Sequence, residues 1–442
     1  MLMYNSRRKL IARTASAAAA KGVAVLLMAA GINTQLACAN ESNWPELSLR
    51  GFGTLGATHS SQDNADYLGN FFQPDGAGYS ESVAFSVDSK LGLQLDAHFN
   101  NRLSAVIQMV SQYQHDGSYD PKTEWAYLNY ELTPDFTIRV GRIVAPTFME
   151  SETRLVAYTY PWMRPPQELY DVNPITNKDG IDLMYRLNLG DATHTLQASY
   201  GEILKKFYGN SEVDVSNALH LVHSLEYRST LFRLSYTSLD LDISSPFLND
   251  LFDGFRDFGA NTPGAAGQQA LDIDNQFRSD NSQYTIFTLG ARHNQGNWLF
   301  RGEWARADIN RATFVSNLKA WYVTVGYQFG AIMPYITAAH LKPDSLYTPD
   351  IPLEGLTENQ AQTAIALNTN LEIPINAFAF HQESLTAGVR WDALANVAVK
   401  MQFQHLRTEA GSNSSGRLVN VQPGFEPGDN ANLFSLSVDF VF

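Results

Sequence analysis

The last eleven residues, NLFSLSVDFVF (432–442), alternate in character up to the final position. Phe434, Leu436, Val438, Phe440 and Phe442 fall on one side, with Ser435, Ser437 and Asp439 between them. A period of two is the pattern of a strand with one apolar and one polar face. The same alternation returns earlier in the chain. Leu91, Leu93, Leu95 and Ala97 oppose Gln94, Asp96 and His98, and Val397, Val399, Met401 and Phe403 oppose Lys400, Gln402 and Gln404. Leu385, Ala387, Val389 and Trp391 oppose Thr386, Arg390 and Asp392. From Glu46 onward no stretch reads as a sustained helical period, and none approaches the ~18 apolar residues of a membrane-spanning helix.

The alternating segments are joined in a short–long rhythm. LGLQLDAHF (91–99) meets LSAVIQMV (103–110) across Asn100-Asn101-Arg102, and WAYLNYEL (125–132) meets FTIRVGRI (136–143) across Thr133-Pro134-Asp135. IDLMYRLNL (181–189) meets THTLQASYG (193–201) across Gly190-Asp191-Ala192. Four further hairpins read the same way, over 223–239, 284–307, 321–341 and 385–406. Between hairpins lie polar stretches near 60–80, 144–178, 242–282, 343–383 and 410–430. Loops of that length are uncommon inside compact domains, whereas a membrane barrel carries them on its outer face. With a first strand over 46–58 and the terminal one, the count reaches about sixteen, an even number as closure requires. The interior of such a barrel is too wide for strand side chains alone to fill. The expected fold is therefore all-β: a transmembrane antiparallel barrel whose polar face lines water and whose apolar face meets hydrocarbon.

Composition agrees with one continuous domain. The 442 residues are 44% hydrophobic and 17% charged, with Gly and Tyr spread along the whole length and no linker dividing it. The first forty residues stand apart. SRRKLIARTASAAAAKG carries Arg7, Arg8, Lys9, Arg13 and Lys21 without an acid; VAVLLMAAGI follows, then Ala37-Cys38-Ala39. This reads as a secretory signal peptide over 1–39, leaving 40–442 as the barrel. SRRKLI also resembles a twin-arginine signal and QLAC a lipoprotein box, but Gln35 stands where that box has leucine. Losing five basic residues takes Lys+Arg from 31 to 26 against 45 acids, a net charge of −19. No basic stripe remains to hold nucleic acid.

The layout resembles the bacterial general porins, the outer-membrane barrels of Gram-negative bacteria. FTIRVGRIVAPTF (136–148) is similar to the fifth strand of that family running into the third loop, here 144–178. The resemblance implies that this loop folds into the lumen. It implies passive diffusion of small hydrophilic solutes and ions, contact with outer-membrane lipid and lipopolysaccharide, and a homotrimer. It also implies that Phe442, with Phe440 and Val438, signals to the barrel-insertion machinery. The connection around His115–Pro121 is shorter than the loop with which family trimers latch neighbouring subunits.

A diffusion pore selects by diameter and by the field across its narrowest part. The candidates are Glu150, Glu152, Arg154 and Arg164 in the loop, with Arg50, Arg139, Arg142 and Arg186 on the wall; Glu150 and Glu152 are expected opposite Arg50. Most wall charges in such a barrel simply wet the surface or pair across strands. Tyr127, Tyr185, Tyr200, Trp298, Trp321 and Trp391 fall near strand ends, as interfacial girdles do. No enzyme is expected. The ten His show no metal spacing, and GFGTLG (51–56) precedes no helix, so neither a metal nor a nucleotide cofactor is implied. The rival readings are a substrate-specific channel of the same fold, an embedded hydrolase and an adhesin.

Overall fold

The computed structural model describes residues 45–278, 282–311, 313–344, 348–409 and 415–442; the expected signal peptide lies outside them. Among the described residues sixteen long strands form one closed antiparallel sheet. In chain order they are β1 (Glu46–Ser60), β2 (Lys90–His98), β3 (Leu103–Gln112), β4 (Lys122–Thr133) and β5 (Phe136–Val144). Then come β6 (Asn177–Leu189), β7 (Ala192–Lys206), β8 (Glu212–Tyr227), β9 (Thr230–Ser244) and β10 (Ser282–Gln295). The circuit ends with β11 (Trp298–Ile309), β12 (Leu318–Tyr327), β13 (Ile332–Pro343), β14 (Gln382–Leu394), β15 (Val397–Thr408) and β16 (Asn430–Val441). Each strand pairs with its neighbour in sequence, and β16 closes on β1 from Phe52 opposite Val441 to Ser60 opposite Leu433. Closure leaves no sheet edge unpaired, which a lipid-facing sheet requires.

Short turns gather at one end of the barrel and long connections at the other. The third connection, 145–176, joins β5 to β6, and the second, 113–121, is short. The alternation sorts side chains as the sequence implies. Phe434, Leu436 and Phe442 are exposed on the outer surface, whereas Ser435, Ser437 and Asp439 are buried inside. On β2, Leu91, Leu93 and Leu95 are exposed and Asp96 is buried.

Two expectations need correction. The long connections contain helices: α1 (Gln167–Tyr170), α2 (Pro246–Asn261), α3 (Ala265–Phe277) and α4 (Glu358–Ala377). Ser245 caps α2 by accepting from the Leu248 N–H, and Leu248, Leu251, Phe252, Phe255 and Phe258 form its buried stripe. Thr357 and Gln360 make a reciprocal capping box at the start of α4, whose buried face carries Ala364, Leu367 and Leu371. None of the described helices is long and apolar enough to cross a membrane.

The inner wall is also not uniformly wet. Toward the loop end of β7–β13, Ile203, Val215, Leu241, Ile286, Leu318 and Leu341 point inward and are buried in one core with the third connection and with α2–α4. Loop-borne apolar groups take the place of water there, so these strands are apolar on both faces.

Candidate functional site: the lumen and its third loop

The third connection is built to leave the wall. Pro146, Pro161, Pro165, Pro166 and Pro174 cannot donate to a sheet ladder, so the segment does not continue as a strand. Its first part is held by β9–β11. The Pro146 carbonyl accepts from Arg233 Nη2 (3.0 Å), and the Thr147 carbonyl from Ser235 Oγ (2.6 Å) and Thr288 Oγ1 (3.1 Å). Glu303 takes three donors: the Met149 N–H (2.8 Å), Tyr170 OH (2.7 Å) and Tyr322 OH (2.8 Å).

The middle of the loop reaches the far wall. Trp162 Nε1 donates to Thr324 and Thr337, both at 3.0 Å, and the Met163 N–H donates to Gln402. Lys400 Nζ, fully buried, donates to the carbonyls of Ala157 (2.6 Å) and Trp162 (2.7 Å) and pairs with Asp439 (2.9 Å). Arg390 donates to the carbonyls of Tyr158 and Tyr160.

Arg164 makes the densest anchor. It grips Asp88 through two nitrogens (2.8 and 2.6 Å) and also reaches Tyr67 OH, Thr58 on β1 and Ser435 on β16. Both charges are buried, an arrangement that tolerates removal of neither partner. Burial disfavours the Asp88 carboxylate, but Arg164 outweighs it and holds Asp88 below the usual carboxylate range.

Between this loop, residues 69–73 and the loop ends of β2–β7 a cavity of about 320 Å³ remains. Arg142, Arg154 and Arg164, three of the charges singled out in the sequence, line it. The other five do not. Glu150 is buried against Arg301 (2.9 Å) with Arg292 at 3.8 Å, Arg50 is bound to Asp96 (2.7 Å), and Glu152 faces Arg139 (3.4 Å). Arg186 lies on the lumen face of β6 toward its turn end, opposite Thr195. The expected opposition of Glu150 and Glu152 to Arg50 is therefore not present: the loop carries Glu150 toward β10 and β11, and β2 supplies the acid for Arg50. The cavity further includes Asp88, Lys90, Lys122, Glu124, Asp171 and Lys205. Lys90 was readable, because it shares the parity of Gln94 and Asp96. Asp88 was not, because its place depends on how residues 61–89 fold inward.

One group of potential metal ligands comes together despite its wide sequence separation. His340, His381 and Glu383 lie with their ligand atoms within 4.8 Å of one another, near the loop ends of β13 and β14 and away from the cavity.

No protein-family model and no curated protein matches the sequence. The fold has clear likenesses among solved structures. OmpF of Salmonella typhi, in complex with daunomycin, is 12% identical with a TM-score of 0.52, covering 90% of this chain and 98% of that one. The outer-membrane channel DcaP of Acinetobacter baumannii is 10% identical, TM-score 0.50, covering 92% and 100%. OmpT of Vibrio cholerae, expressed in the outer membrane, is 10% identical, TM-score 0.50, covering 91% and 99%. Identities this low speak to architecture alone, and the shared architecture is a closed, 16-stranded transmembrane β-barrel.

Proposed function

We propose that this barrel is a passive channel of the Gram-negative outer membrane, admitting small hydrophilic solutes and ions. The observation that carries the reading is the third connection, which crosses the lumen on buried anchors and leaves a charged cavity beside it. A loop built only for the outer surface has no use for this series of internal hydrogen bonds to the opposite wall, since each needs a matching inward side chain. In this reading the long connections face outward, the short turns face the periplasm, and the chain reaches its membrane after export. It does no bond chemistry, and it assembles as a homotrimer among lipid and lipopolysaccharide.

Liposome swelling tests this. Vesicles carrying the purified protein should swell in neutral sugars at rates that fall with sugar size. Swelling no faster than that of protein-free vesicles would overturn the reading in favour of a surface hydrolase or adhesin.

A further inference from the structure

We infer that the cavity beside the third loop is an anion-selecting vestibule, admitting small solutes that carry carboxylate or phosphate groups. The inference rests on the channel reading and names its substrate class. It runs against the charge of the whole chain, which is −14.

The charges at the cavity do not cancel. Arg164 and Asp88 neutralise one another, and so do Arg142 and Asp179 at 2.6 Å. Asp171 is shared by two guanidinium groups, Arg154 (3.2 Å) and Arg417 (2.7 Å). Lys206 has Glu212 at 3.9 Å. What remains is Lys90, Lys122 and Lys205 against Glu124 alone. Lys205 Nζ donates to the neutral Asn177 Oδ1 (3.1 Å), and its nearest acids, Glu124 and Asp179, make no ion-pair contact with it. The three lysines stand on β2, β4 and β7, so they are spread along the wall side of the cavity, facing the third loop.

Low-dielectric walls surround this surplus, and such a cleft focuses the field into the water it encloses. Ammonium groups on flexible stems suit oxyanions of differing shape, where a fixed guanidinium fork selects one geometry. Elsewhere in the lumen Arg50 meets Asp96, Arg139 meets Glu152 and Asp182, Arg390 meets Asp392 and Lys400 meets Asp439, while Arg233 is bound to the Pro146 carbonyl, Lys178 to the Ala218 carbonyl, and Arg186 lies apart toward the turn end. The vestibule gathers three lysines around one cavity beside the third loop, and it sets the sign.

The test is the zero-current potential of protein in planar bilayers across a KCl gradient, followed by block of the chloride current with added inorganic phosphate and succinate. Chloride should permeate several-fold better than potassium at low salt, and both oxyanions should reduce the current. K90Q/K122Q/K205Q should bring the permeability ratio to unity or below and abolish the block, while E124Q should increase the anion preference. Heat-modifiable migration of each variant shows that its barrel is intact. The preference should shrink at 1 M salt, where the Debye length is roughly 3 Å. Conductance that favours potassium, or a triple variant with unchanged selectivity, would overturn this inference and leave the channel reading standing. Absence of any conductance would defeat the channel reading itself, and the inference with it.

Discussion

Gly51 and Phe442 exchange both backbone hydrogen bonds, N–H of Gly51 to O of Phe442 at 2.8 Å and N–H of Phe442 to O of Gly51 at 3.0 Å. They are the final rung of the seam that closes the barrel. The Phe442 ring lies over Gly51, where an added Cβ would come within 2.2 Å of its Cζ, and Phe440 covers Gly53 in the same way. Glycines in one strand and aromatic rings in its partner thus pack as a unit on the lipid side.

Removing Phe442, or replacing it with Asp, should stall assembly, measured as loss of the heat-modifiable band and accumulation of unfolded chain. Gly51→Val separates the two roles of the ring. It keeps the terminal residue while pushing the ring aside, at a cost on the order of 1–3 kcal/mol. Assembly should then proceed, with a lower denaturant midpoint. Wild-type assembly of the Phe442 deletion would refute the role given to the terminus.

Orientation, not hydrophobicity, should decide the cost of a charge on the wall. Leu128 is exposed on the outer surface, while Met184 shares the inward parity of Asp182 and Arg186. Leu128→Arg should cost roughly 2–4 kcal/mol near the midplane, and Met184→Arg much less. Equal unfolding free energies for the two variants would defeat the assigned faces.

Arg164→Ala leaves Asp88 buried without its partner, a loss of about 3–5 kcal/mol that falls on the loop rather than on the sheet ladder. The loop should loosen and the conductance become noisier. Arg164→Ala/Asp88→Asn should recover part of the loss, because no buried charge is then stranded. Acid should act like the single variant. The Asp88 carboxylate has a depressed folded pKa, so the stabilisation is in place above its ordinary value of about 3.9 and is lost as pH falls through the lowered one. Current noise should therefore rise below about pH 4 and be unaltered by pH in the double variant.

The helical cap makes a separate claim. Leu371 on α4 is fully buried, and α4 packs beside α2. Leu371→Asp should release the cap, because an unpaired carboxylate in that core is too costly to keep. Limited proteolysis should then cut within 348–381 while the strands stay protected. Unchanged protection of that segment would mean that the cap does not depend on this core.

The strands were legible because period two survives over most of the sheet, although β7–β13 turn apolar on both faces toward their loop ends, and because one error of register would expose an entire face. The helices were missed. Leu248, Leu251, Phe252, Phe255 and Phe258 repeat with helical spacing, but they sit in a stretch whose length and polarity read as a loop. Of the site, Arg154 and Arg164 were readable as loop charges and Arg142 as a charge at a strand exit. Their partners were not, because Asp88 is 76 residues from Arg164 and the partner of Glu150 is 151 residues away. Such pairings depend on the path of the loop across the lumen, which no local pattern encodes. The sign of the vestibule was hidden for the same reason: the chain total counts every acid in the loops, whereas the cavity gathers only a few of them.

Single-channel conductance in planar bilayers tests the central claim most directly, with wild-type protein set against a variant whose residues 150–172 are replaced by a short Gly/Ser turn. The account predicts step-like openings for the wild type and larger steps for the variant, because the loop occupies part of the conducting cross-section. Steps of the same size in both proteins would contradict it, and would place the third loop outside the path that ions take.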